Sequence, residues 1–317
     1  MRYVWVAIAC AATVLAGLGT AEVAAGNATD SQLIFLSDFE SGAINGVHSN
    51  PDGWQVKSIR DDHAIVQSEV VRSGKYALKF VLQHGLDYSS VNGNGQDKPR
   101  VDLLKWPFGF DYRSEYYVGF SVHVPKDWVD DHADNAETIF QLKQRTGGSP
   151  IIALIVRGKN WRWVNRRDAS SLTWRDGSST QTTFFEEPLS GVKGKWVDFV
   201  LRFKLCSERD CDGIVSLWRN GTKVAEFKGP NAYVEDPEQG PYPEIDLYKH
   251  SWYLKPTVVS ERVLYFDEFR VGRSYDEVVP PQAAGPDVPA VPGDAGPPAD
   301  GTPPPKRPRG PTGLRKL

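Results

Sequence analysis

Residues 194–224 read GKWVDFVLRFKLCSERDCDGIVSLWRNGTKV, and this stretch decides the fold. KWVDFVLRFKL is a short run rich in β-branched and aromatic residues, which reads as a strand. A polar loop follows, then a second strand, GIVSLWR. Asn220-Gly221 ends it with the dipeptide that best tolerates the positive φ angles of a tight hairpin turn. The same signal repeats on both sides, in LIFLSDF, YALKFVLQ, EYYVGFSVHVP, ETIFQLKQR, IIALIVRG, NWRWVN, EIDLYKHSWYL and RVLYFDEFRVG. Several of these alternate apolar and polar residues, with Gly, Pro, Asn and Asp between them. No strong amphipathic helix appears. Residues 31–276 therefore read as one all-β domain, a two-sheet sandwich of the jelly-roll kind.

The ends differ from this middle. After Met1-Arg2-Tyr3, an apolar run from Val4 to Gly19 precedes small residues suited to a signal peptidase, so residues 1–25 read as a signal peptide. The run is short for a membrane span of roughly 20 residues. A secreted or periplasmic, monomeric protein with no span after cleavage is expected. Residues 279–317 hold more than half of the 23 prolines and end in Lys306, Arg307, Arg309, Arg315 and Lys316. Such a segment buries too little apolar surface to offset its ordering entropy and reads as a disordered tail. Cys206 and Cys211 lie close together in the loop of the opening stretch. In an oxidising compartment they suit a disulfide, and no second pair has zinc-ligand spacing.

Charge narrows the partner. Lys+Arg total 37 against 40 Asp+Glu, a net charge of -3, so the chain is no polycation built for nucleic acid. A densely sulfated polymer would call for a more basic field. A neutral or carboxylate-bearing ligand fits better. There is no P-loop, no G-x-G-x-x-G and no G-x-S-x-G elbow.

Several segments, taken in order, carry a family likeness: DFESG at 38–42, RSGKYALKF at 72–80, ETIFQLKQR at 137–145, the W-x-D and W-x-N-G strands of the opening stretch, LYKHSWYL at 247–254 and LYFDEFRVG at 264–272. Over residues 33–273 the chain resembles the heparin lyase I-like group of polysaccharide lyases, which includes glucuronan lyases and folds as a concanavalin A-like sandwich. In such sandwiches the tryptophans of the opening stretch pack between the sheets.

The resemblance implies β-elimination on a uronic-acid polymer. That reaction needs a group to neutralise the uronate carboxylate, a base for the C5 proton and an acid for the leaving O4. If LYKHSWYL is a strand, Lys249, Ser251 and Tyr253 share one face, with Lys249 and Tyr253 about 13 Å apart; the resemblance implies the same K-x-x-x-Y pair. In FQLKQR, Gln141, Lys143 and Arg145 form a polar face, although the family's Q-x-H histidine is replaced here by Lys143. In DKPRVDLL, Arg100 and Asp102 match an R-x-E-L strand with Asp102 for Glu; Arg100 could clamp a carboxylate while Asp102 holds it. The expected catalytic set is Tyr253, Lys249 and Lys143, with cations lowering the affinity of Tyr253 for its proton. The expected substrate contacts are Arg100, Gln141, Arg145, His84 and Trp161, with His84 also a possible base. Trp161 and Trp163 share a strand face and, with Trp106, Tyr88 and Trp252, offer stacking platforms. Each residue also has a plain structural alternative: a solvated charge, an Arg–Asp pair or a core ring. No metal site stands out. Calcium stays open, because such sandwiches often hold one, yet no dense acidic loop marks a site.

Two rival functions remain. A retaining glycoside hydrolase needs E-x-D-x-x-E, and here Glu244 and Asp246 are followed by Lys249 in place of the third acid. A lectin-like carbohydrate-binding module would keep the aromatic and basic residues without needing an acid or base.

Overall fold

The computed structural model describes residues 33–45, 53–92, 95–105, 108–145, 148–168, 179–234, 236 and 238–281. The expectations for the signal peptide, for residues 282–317 and for Trp106 lie outside these. The chain forms two sheets, antiparallel throughout. Sheet A runs in the order β13 (Thr222–Lys228), β12 (Ile214–Arg219), β11 (Lys195–Lys204), β6 (Glu115–Val124), β15 (Glu261–Gly272), β4 (Ala77–Gln83) and β3 (Ala64–Gln67); β1 (Phe35–Ser37) also pairs with β15. Sheet B runs β10 (Thr180–Pro188), β9 (Asn160–Arg167), β8 (Ile152–Arg157), β7 (Glu137–Lys143), β14 (Tyr242–Tyr248), β5 (Arg100–Leu104) and β2 (Gln55–Lys57). Among the described residues no helix is long and apolar enough to cross a membrane.

The opening stretch folds as its pattern predicts, up to one exchange of faces. Asn220 and Gly221 adopt φ of 48° and 77°, the left-handed pair that a two-residue hairpin requires, and β12 turns into β13. Val197, Phe199, Leu201 and Phe203 point into the core. Trp196 and Trp218 do not: they lie half-buried on the outer face of sheet A, Trp196 against His123 and Trp218 against Tyr275. The outer face of β11 mixes Trp196 and Val200 with Asp198, Arg202 and Lys204, so alternation places Trp196 outside, and the inward tryptophan implied by the resemblance does not carry over. The Cys206–Cys211 disulfide closes the loop between β11 and β12.

The core between the sheets is aromatic. Trp161 and Trp163 are fully buried and meet Phe199 with ring centroids 5.3 and 5.4 Å away. They are core rings, and so are Tyr88 and Trp252. The expectation that Trp161 contacts substrate is thereby corrected: a ring with no exposed surface cannot stack on a sugar.

The family-like segments RSG, W-x-D and FDEF converge on the outer face of sheet A. Arg72 grips Asp198 through Nε–Oδ1 (3.0 Å) and Nη2–Oδ2 (2.7 Å), and Ser121 donates to the same carboxylate at 2.7 Å. Asp267 accepts the backbone N–H groups of Arg72 and Ser73 at 3.0 and 3.3 Å. These segments hold the fold.

His63 is buried against Tyr88, with ring centroids 6.1 Å apart. Burial lowers its proton affinity, and nearby Asp62 only partly opposes that. The unfolded chain therefore takes a proton near pH 6.5 that the folded chain refuses, so stability should fall as pH drops below that value. Thermal melts should show Tm declining with acidification, and His63→Phe should reduce the slope. An unchanged slope would assign the acid sensitivity to other groups.

Candidate active site

The outward face of sheet B gathers most of the expected site. β14 lies between β5 and β7, and its register sets Tyr248 opposite Arg100, Asp246 opposite Asp102, Glu244 opposite Gln141 and Tyr242 opposite Lys143. Side chains two residues apart share a face, so these eight stand side by side.

The face is more acidic than the sequence reading allowed. Arg100 pairs with Asp102, stands 3.6 Å from Glu244 and lies over the Tyr248 ring at 4.4 Å. Its side chain keeps only 13% of its surface exposed, so it supplies charge to the face but has no free fork with which to clamp a carboxylate. Gln141 spends its amide N–H groups on Glu244 (2.5 Å) and Asp246 (3.0 Å), which removes it as a direct carboxylate ligand. Lys143 donates to the Gly148 carbonyl. Arg145 lies beyond the end of β7, with its guanidinium beside Gly109, so the predicted three-residue face has two members.

Burial fixes the protonation tendencies. It pushes Glu244 and Asp246 up, and neighbouring carboxylates add to the effect. Burial alone would lower Arg100, but Asp102, Glu244 and Asp246 outweigh it and hold the guanidinium charged. Tyr248 is pushed up to about 12, mainly by burial, with Arg100 opposing.

Carboxylate oxygens of Asp102, Glu244 and Asp246 lie within 4.8 Å of one another, yet the set does not fit calcium. That ion takes about six to eight oxygen ligands, whereas here three carboxylates converge and a guanidinium and an amide already donate to one oxygen of each. The same engagement leaves Glu244 and Asp246 unsuited to hydrolase roles.

The K-x-x-x-Y segment is not a strand. β14 ends at Tyr248, and turns follow, closed by Trp252 N–H to Lys249 O (3.0 Å) and Leu254 N–H to Ser251 O (2.9 Å). Lys249 turns inward and is fully buried, bonded to Asp131 (2.8 Å), Glu137 (2.7 Å) and the Asn135 carbonyl (2.8 Å). Arg262 completes this cluster at 2.8 Å from Glu137. Lys249 is therefore corrected from catalytic residue to buried counter-ion. Tyr253 is half-buried, donates to the Leu86 carbonyl at 2.5 Å and meets the exposed ring of His84 with centroids 5.0 Å apart. Burial and then Asp97 raise its proton affinity. The expected cationic lowering is overturned, because Lys249 is engaged elsewhere.

His250 is not among the residues the sequence pattern selects. Its ring stands 5.7 Å from that of Tyr248 and is partly shielded from water. Burial first, then Lys98, Lys249 and Arg157, lower its proton affinity. The signal available in the sequence was a histidine two residues beyond a tyrosine at the end of a strand-like run.

The polysaccharide lyase family model matches residues 39–270. Among solved structures, the endo-β-1,4-glucuronan lyase of the fungus Trichoderma reesei aligns over 80% of this chain and 100% of its own, with a TM-score of 0.61 and 20% identity. The receptor-binding domain of botulinum neurotoxin type G aligns over 78% of this chain and 50% of its own (TM-score 0.45, 14% identity). A family 7 alginate lyase, A1-II′, aligns over 68% and 86% (TM-score 0.43, 9% identity). No curated protein matches the chain. The family match runs from just after β1 into β15 and so takes in both sheets and the polar face of β5, β7 and β14: the chain belongs to the polysaccharide lyase family and is a lyase.

Proposed function

We propose that the chain is an exported lyase that cleaves a non-sulfated polyuronate, glucuronan before others, by β-elimination. One observation carries this reading: His84 and Tyr253, two proton-active rings in contact at 5.0 Å, lie on turns next to the face that holds Arg100. The turn bearing Tyr253 follows β14 directly, and Lys249 N–H binds the Pro99 carbonyl at 2.9 Å, tying that turn to the start of β5. The likeness to a glucuronan lyase fold supports the choice of first substrate. The apolar run at residues 4–19 and the Cys206–Cys211 bridge support export.

In the proposed step an imidazole nitrogen of His84 takes the C5 proton. The C5–H electrons form the C4–C5 double bond, the C4–O4 bond breaks, and the Tyr253 hydroxyl gives its proton to O4. Proton exchange through solvent then returns the proton from His84 to Tyr253. Tyr253 carries its proton at neutral pH and so can donate it, and its raised proton affinity disfavours the tyrosinate that a base would need. Arg100, opposite Tyr248 at the end of β14 that leads into the Tyr253 turn, supplies positive charge toward the substrate carboxylate and eases the build-up of negative charge on it.

The test is ultraviolet absorbance of the unsaturated product while purified protein meets glucuronan, alginate, heparin and chondroitin. The expected result is a rise with glucuronan and little with the sulfated chains. New reducing ends without the absorbance would mean hydrolysis. Binding without product would mean a lectin-like module. Either outcome would refute the proposal.

A further inference from the structure

Two buried carboxylate oxygens on the outward face of sheet B, Asp102 Oδ1 and Asp246 Oδ1, take no hydrogen bond from any described residue. Their companions are engaged: Asp102 Oδ2 by Arg100 and Asp246 Oδ2 by Gln141 Nε2. The two residues oppose each other directly across β5 and β14, where facing Cβ atoms come within roughly 4.5–5.5 Å. Leaving two carboxylate oxygens buried and unpaired side by side is costly twice over, as lost hydrogen bonds and as like-charge repulsion. A single proton between them removes both costs.

We infer that Asp246 is kept as a neutral carboxylic acid whose Oδ1–H donates to Asp102 Oδ1, and that this retained proton lets the face bind a polyuronate. Asp246 is the member that holds it because Arg100 pairs with Asp102 and stands near Glu244, while Asp246 makes no ion pair among the described residues. The groups facing it are Arg100 and Asp102 from β5, Lys57 from β2, Gln141 and Lys143 from β7, and Tyr242, Glu244 and Tyr248 on its own strand. Burial and the two neighbouring carboxylates push Asp246 toward the protonated form, against the pull of Arg100. With Asp246 neutral, three cations face two carboxylates and the surface is net positive. Once it ionises, the charges balance and the attraction for a polyanion is lost. Asp246 is thus a positioning residue: it holds Gln141 and Asp102 in place and sets the charge of the face without touching the reacting atoms.

This inference rests on the polyuronate reading, and its test separates the two. Burial also pushes Asp267 up to about 8, so the readout is a difference: the infrared spectrum of the wild type minus that of Asp246→Asn, at neutral pH, should show the C=O stretch of a buried carboxylic acid. That difference band should vanish on titration to alkaline pH; the Asn variant keeps a donor toward Asp102 without the charge. Absence of the difference band overturns the inference whatever the enzyme's activity. In turnover assays, the wild-type KM should rise roughly tenfold between neutral and alkaline pH, the equivalent of about one pKa unit of differential charge interaction, while the Asp246→Asn KM stays flat. If both KM values rise together, the proton has no role in binding. If no polyuronate is turned over at all, the lyase assignment to this substrate class fails, and the infrared result still decides the state of Asp246.

Discussion

Replacing Tyr253 by phenylalanine should lower turnover of a polyuronate by about 10²–10⁴-fold, the usual contribution of a positioned acid or base, with KM nearly unchanged. The substitution keeps the ring that meets His84 and removes only the hydroxyl, so packing loss is small. What disappears is the proton that the proposed step delivers to O4. Burial and Asp97 hold that proton in the free enzyme, which argues against Tyr253 acting as base and leaves it the donor. His84→Gln should lose a comparable factor. The double variant should be little worse than either single one, because groups that act in one step are not additive. The measurement is steady-state kinetics on the most active polymer of the panel, with circular dichroism to confirm folding. Near-normal turnover by Tyr253→Phe would show that its hydroxyl serves only to anchor the Leu86 carbonyl. Full activity of His84→Gln together with loss in His250→Gln would move the base to the imidazole beside Tyr248.

The sandwich was legible because a half-buried strand writes its burial into alternation. Phe199, Leu201 and Phe203 announce their faces without any knowledge of their partners. Parity also brought Arg100, Asp102, Gln141 and Lys143 to one face, since it needs only the strand itself. It could not foresee what those side chains would be bonded to. Gln141 looked like a free amide; Glu244, 103 residues away, takes it. Lys249 looked like an exposed cation on a continuing strand. Its carboxylate partner Glu137 lies 112 residues upstream, and that long-range pairing ends the strand and turns the lysine inward. Trp161 was equally ambiguous, because an aromatic residue serves a core and a sugar platform with the same chemistry. Composition, spacing and period are local properties. The site residues were misplaced where a non-local ion pair or hydrogen bond took precedence.

The cluster around Lys249 leads to the second large effect, one of stability. Lys249→Met should destabilise the fold by about 3–5 kcal/mol, the range for breaking a buried ion pair from one side. For a domain of this size that is a fall in Tm of roughly 10 °C. Methionine fills the space of the lysine stem but leaves Arg262 as the cluster's remaining cation, and its side chain bonds Glu137 and the Val129 carbonyl at 2.7 Å, so that no ion pair to Asp131 remains among the described residues. Asp131 feels the loss most. Burial works against its charge, yet the Lys249 ammonium and the Val258 N–H hold its carboxyl down at about 2. A carboxyl lowered on folding contributes stability above its unfolded value of 3.8, and that contribution is lost as pH falls through about 2. Without Lys249 the carboxyl moves up, so acid unfolding of the variant should begin at milder pH than in the wild type. Asp131 also accepts from Thr257, whose hydroxyl oxygen in turn accepts the Trp252 indole N–H at 3.0 Å. The cluster thereby fixes the turn that carries Tyr253, and some loss of turnover should accompany the loss of stability. Calorimetry across a pH series, with activity measured well below the variant's Tm, distinguishes the two origins. A variant that keeps its melting temperature and loses only turnover would return Lys249 to the chemistry and refute its role as a buried counter-ion.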